Sequence, residues 1–124
     1  MAVADPIVGV GKILIVEDDR HELRALSEFL ERKGYSVIEA QNGREALDDL
    51  RNGAAVSLVL LDLSMPVMDG WEFLKRQNND PAIADIPVVA LTASPRIPDG
   101  PKVTLRKPIR PDALVAVVSR YCES

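Results

Sequence analysis

Apolar positions along the chain fall into two alternating rhythms. Short continuous runs occur at Lys12 to Val16 (KILIV), Tyr35 to Ala40 (YSVIEA), Val56 to Leu61 (VSLVLL) and Pro87 to Leu91 (PVVAL), with a weaker one at Val103 to Leu105. Runs of this kind suit strands buried on both faces. Between them, apolar residues recur at helical spacing. Leu23, Leu26, Phe29 and Leu30 mark a helix over residues 20–33, stopped by Gly34. Ala46, Leu47 and Leu50 follow Asn42, a natural N-cap, and precede Gly53. Asp69-Gly70 opens a helix carrying Trp71, Phe73 and Leu74, and Pro111 suits the first turn of a helix with Leu114, Val117, Val118 and Tyr121. Strands alternating with helices predict right-handed βαβ units, hence an α/β fold with a parallel sheet between two helical layers. No repeat, linker or low-complexity segment interrupts the pattern. Residues 1–11 are expected to form a flexible N-terminal segment ahead of one domain over residues 12–124.

Composition narrows the function. A chain of 124 residues makes one domain and buries roughly two-thirds of its unfolded surface without a metal or disulfide staple. With 15 basic and 19 acidic side chains the net charge is −4, and no basic stripe stands out. Direct binding of nucleic acid or of an anionic membrane is therefore not expected. A single cysteine, Cys122, excludes an intrachain disulfide and a multi-cysteine metal site. No apolar run approaches the roughly 18 residues of a membrane span, and the first ten residues hold Asp5, Pro6 and no basic residue. The expectation is a cytoplasmic protein.

The candidate chemistry lies at the carboxyl ends of the predicted strands, where open α/β sheets bind ligands. The first strand runs into Glu17-Asp18-Asp19, the third into Asp62 and the fourth into Thr92, while Lys107 follows the fifth. If the first and third strands are neighbours, Asp18 and Asp62 approach each other. Clustered carboxylates repel and call for a cation, and a small hard ion with oxygen ligands, Mg²⁺ or Mn²⁺, is the natural one. An aspartate carboxylate can attack phosphorus to form an acyl phosphate. A divalent ion, an ammonium and a hydroxyl would then neutralise the phosphoryl oxygens. Taken singly, each residue has a plainer reading: helix cap, turn former or solvated charge. His21 reads as a surface helix residue, Cys122 as incidental, and Trp71 and Phe73 as packing residues.

Taken together, IVEDD (15–19), LVLLDLSMPVMDG (58–70), VVALTAS (88–94) and LRKP (105–108) resemble the receiver domains of two-component response regulators. The resemblance implies a flavodoxin-like three-layer sandwich with a five-stranded parallel sheet in the order 2-1-3-4-5. It implies that Asp62 is the phosphoacceptor, Asp18 a direct Mg²⁺ ligand, Glu17 a ligand through water and the Ser64 carbonyl a further ligand. Thr92 would be the switch hydroxyl and Lys107 the cation pairing with the phosphoryl group. The Lys107-Pro108 bond would be cis. Met65-Pro66 and Asp69-Gly70 would shape the loop beside the acceptor, with Asp19 a helix cap. The implied partners are a histidine kinase or phosphotransfer protein and a downstream protein, the chain being a monomer or weak dimer. Metal-dependent self-phosphorylation is implied, but not turnover of an external substrate.

Two departures stand out. The 11 residues from Thr92 to Lys102 (TASPRIPDGPK) hold Pro95, Pro98, Pro101 and Gly100. Proline inside a helix costs about 3 kcal/mol, so the family's fourth helix is expected to be missing or strongly shortened. Thr104, three residues before Lys107, stands where the family usually has Tyr or Phe. Both fall on a surface commonly used for readout. They raise an alternative: a phosphorylation-independent docking module with an altered output surface. An Asp-nucleophile phosphatase is disfavoured, because Ser64 replaces the second Asp of the haloacid dehalogenase-like pattern and no cap domain is present.

Overall fold

A computed structural model describes residues 11–63, 69–94, 96 and 100–122. The elements run β1 (Lys12–Val16), α1 (Arg20–Arg32), β2 (Ser36–Ala40), α2 (Gly43–Arg51), β3 (Leu58–Asp62), α3 (Gly70–Asn78), β4 (Val88–Thr92), β5 (Val103–Arg106) and α4 (Pro111–Cys122). The strands form one parallel sheet in the order β2-β1-β3-β4-β5.

The inner strands β1, β3 and β4 are almost wholly apolar because both faces of the sheet are covered there. Ile13, Ile15, Leu58, Leu60, Val89 and Leu91 pack against Leu23 and Leu30 of α1 and Leu114 and Val118 of α4. Leu14, Val16, Val59, Leu61, Val88 and Ala90 pack against Ala46, Leu47 and Leu50 of α2 and Phe73 and Leu74 of α3. The helices begin where the caps lie: Asp19, Asn42 and Asp69 each accept backbone amides of the first turn. Gly34 follows α1 at φ +99°, a left-handed stop open to glycine.

Element boundaries shift from the sequence reading at four strands, β2 beginning at Ser36 rather than Tyr35. Val56 stays outside β3 because its amide turns back to the Ala54 carbonyl. β4 runs one residue further, to Thr92, and β5 extends to Arg106, the two residues being paired in register. The ten N-terminal residues lie outside the described part.

Among the described residues no helix intervenes between β4 and β5, in line with the three prolines. The connection instead rests on α3. The Arg96 guanidinium sits 4.3 Å from the Trp71 ring centre, and a Cβ at Gly100 would lie 3.5 Å from Asn78 Nδ2 and 4.0 Å from Leu74 Cδ2. The face of β5 on the α2 and α3 side carries Thr104 and Arg106, in register with Ala90 and Thr92. Val103 and Leu105, on the opposite face, pack into the core with α1 and α4. This alternation suits a strand with one well-covered face.

The start of α3 is pressed against the end of β3. A Cβ at Gly70 would lie 2.5 Å from Leu63 Cα and 2.8 Å from the Asp62 carbonyl oxygen. Both are backbone neighbours that cannot swing aside. Gly70→Ala is therefore expected to destabilise the fold by about 1–3 kcal/mol, measured by urea denaturation. A stability equal to the parent protein's would show that the helix start moves freely.

Candidate functional site

Three chain segments converge at the carboxyl edge of the sheet. Glu17 follows β1, and its amide donates to the Ala40 carbonyl at 3.0 Å, extending the ladder with β2 by one residue. Its side chain is buried, while Asp18 beside it is exposed. Asp19 accepts from the amides of His21 at 2.9 Å and Glu22 at 3.2 Å, which commits it to capping α1. Asp62 closes β3 opposite Leu91 and is buried. One oxygen from each of Glu17, Asp18 and Asp62 falls within 4.8 Å of the others.

Lys107 closes the cluster. Its amide donates to the Thr92 carbonyl at 2.9 Å, carrying the β4–β5 ladder to the strand end. Its Nζ lies 3.4 Å from Glu17 Oε1, 3.4 Å from Glu22 Oε1 and 3.5 Å from Asp62 Oδ1. The Lys107-Pro108 bond is cis. Thr92 is buried on the same edge, and its Oγ1 accepts from the Ser94 amide at 2.9 Å.

The electrostatics of the pocket are unbalanced. Glu17 is pushed up to about 8, first by burial and then by its hydrogen bond to Asp62 and the charge of Asp62. Lys107 and the Asp19 amide offset this only in part. Burial pulls Lys107 down, but the charges of Asp62, Glu17 and Glu22 outweigh it and hold the ammonium above the ordinary lysine range. A proton on Glu17 thus supplies positive charge that the single lysine does not. An all-oxygen donor set with a deficit of positive charge suits a hard divalent cation.

The structure brings Glu17, Asp18, Asp62 and Lys107 together, as the sequence reading expects, and places Thr92 on the same edge. Ser64, Met65 and Pro66 lie outside the described residues. His21 is exposed and Cys122 is buried in the core. Sequence reasoning missed Glu22, the third carboxylate on Lys107. Its signal was its position four residues after Asp18, in the first turn of a helix that begins at the acidic edge.

The chain belongs to the response regulator receiver domain family, whose pattern matches residues 13–119. It is similar to a 14.6 kDa protein of Leptolyngbya boryana, 36% identical over 117 residues, covering 89% of this chain and 88% of that one. It is 46% identical over 94 residues to the transcriptional regulatory protein YkoG of Bacillus subtilis, covering 76% of this chain and 39% of that protein. The chain thus spans well under two-thirds of that longer relative. Among solved structures, the receiver domain of a signal transduction histidine kinase from Syntrophus aciditrophicus aligns with a TM-score of 0.82 and 33% identity, over 90% of this chain and 89% of that one. The family and the fold both place the chain among the receiver domains of two-component systems.

The raised proton affinity of Glu17 fixes the sign of a pH effect. Between about 4.5 and 8 the folded state keeps a proton that the unfolded state releases. The metal-free protein should lose stability as pH rises through that window, and Glu17→Gln should flatten the profile. Lys107 acts only at higher pH, because its shift is upward from 10.5. Thermal melts across the window check this; an unchanged slope in Glu17→Gln would assign the effect to other groups.

Proposed function

We propose that this domain accepts a phosphoryl group on Asp62 from a histidine kinase or phosphotransfer protein and thereby controls a partner protein. The observation that carries the reading is the Lys107 ammonium 3.5 Å from the Asp62 carboxylate, in a pocket where Glu17 and Asp18 supply further oxygens. The Asp62 carboxylate attacks phosphorus, so that an O–P bond forms. The P–N bond of a phosphohistidine breaks, or the P–O bond of acetyl phosphate. The leaving imidazole or acetate keeps the bonding electrons.

Glu17, Asp18 and Asp62 would hold Mg²⁺, with Mn²⁺ expected to substitute, and the Ser64 carbonyl is proposed as a further ligand. The bound ion supplies neutralising charge for the phosphoryl oxygens. Lys107 adds a second positive charge from the β5 side, and the Thr92 hydroxyl offers a hydrogen-bond donor to the new oxygens. The added charge, about −1.5 to −2 near neutral pH, then biases the pocket between two arrangements.

A second reading has its own support. The polar Thr104 and Arg106 on β5, with no helix among the described residues of the β4–β5 connection, fit a docking module that works without phosphorylation. On that reading Asp62→Asn leaves partner binding intact.

Intact-mass spectrometry after incubation with acetyl phosphate and Mg²⁺ separates the two. A single phosphoryl adduct is expected on the parent protein, and none on Asp62→Asn or with the metal chelated. No adduct from acetyl phosphate or phosphoramidate would overturn the phosphoacceptor reading in favour of docking.

A further inference from the structure

We infer that Glu22 is a positioning residue that shares the Lys107 ammonium with Asp62 and so restrains phosphoryl uptake. The inference rests on the proposed role of Asp62. An ammonium has three donors, and here three carboxylates surround it: Glu17 at 3.4 Å, Glu22 at 3.4 Å and Asp62 at 3.5 Å. They are not equivalent. The Glu17 and Asp62 side chains are 2% and 6% exposed, whereas that of Glu22 is 51% exposed. Glu22 also lies on α1, whereas the other two stand at strand ends.

A phosphoryl group on Asp62 adds three oxygens and further negative charge where the ammonium already sits. Lys107 cannot serve them and keep all three carboxylates. Glu22 is the partner that yields at least cost, since water takes over its solvated carboxylate while Glu17 remains enclosed. Until it yields, Glu22 draws the ammonium away from the developing charge. Its own charge also opposes the approach of an anionic phosphodonor. Both effects slow transfer. Glu22 and Lys107 further share the wall of a cavity of about 240 Å³ with Ala25, Leu26, Pro108 and Ile109, so the released side chain has space beside it.

The contact predicts more than a charge effect. Aspartate at this position keeps the charge but falls short of Lys107 by one methylene. Glu28, exposed on the same helix and paired with Arg24, supplies a charge control without contact to Lys107.

The test measures the rate of adduct formation on the full chain with acetyl phosphate and saturating Mg²⁺. It also records the Lys107 side-chain NMR signals of the unphosphorylated protein. Glu22→Gln and Glu22→Asp are each expected to raise the rate about two- to fivefold and to shift the Lys107 signals. Glu28→Gln should change neither. Rates equal to or below the parent's in Glu22→Gln overturn the inference and leave the phosphoacceptor reading standing. So does a Glu22→Asp variant that behaves as the parent, which would reduce the effect to charge at a distance. Absence of adduct on the parent protein overturns both.

Discussion

Too many carboxylates meet at one edge of a parallel sheet, and one lysine offsets them. This imbalance governs the pocket. Glu17 and Asp62 are buried, and burial pushes Glu17 toward neutrality. Lys107 reaches them from the far side of β4, because the β4–β5 ladder carries its amide to the Thr92 carbonyl. The geometry of an edge strand therefore brings a cation to carboxylates that follow β3 and β1. Burial and the neighbouring Asp62 raise the proton affinity of Glu17 by more than Lys107 lowers it. A receiver site of this composition has a built-in demand for further positive charge, and a divalent cation meets it without the loss of a carboxylate.

The fold was legible in the sequence where local signals and burial agree. The continuous apolar runs gave the strands because both faces are covered. Asp19, Asn42 and Asp69 marked the helix starts because each supplies an acceptor to amides that lack one. Strand ends were less legible, since whether Val56 or Arg106 joins a ladder depends on the neighbour's register. The site was legible as a carboxylate cluster at the strand ends, but the role of each residue came only through family resemblance. Taken singly, Glu17, Asp62, Thr92 and Lys107 each have an ordinary turn or surface reading. Glu22 was hidden for a physical reason. A glutamate in the first turn of a helix is already accounted for by the helix dipole, and only the path of β5 brings an ammonium to it.

The prolines led to the expectation of a missing or strongly shortened helix between β4 and β5, and among the described residues there is none, but they did not show which contacts order the segment. The described residues of the connection are ordered by a chain of backbone and side-chain contacts. Thr92 Oγ1 accepts from the Ser94 amide at 2.9 Å, Ser94 Oγ accepts from the Arg96 amide at 3.1 Å, and Arg96 lies over Trp71. The two hydrogen-bonded links each join residues two apart, so that order is gained at small loop-closure cost. The last link ties the connection to the first turns of α3, whose start is clamped to β3 at Gly70.

These contacts also explain how the sheet tolerates a sparsely covered face at β5. An apolar strand there would demand a covering layer and invite association. Thr104, half-buried, and Arg106, exposed, lessen that demand, while Val103 and Leu105 anchor the strand from the other side. An aromatic residue at 104 would need a wall to pack against, and the described part of the connection passes over α3 instead. Among the described residues no helix intervenes between β4 and β5, and threonine at 104 leaves less apolar surface to cover on that face of β5 than an aromatic ring would.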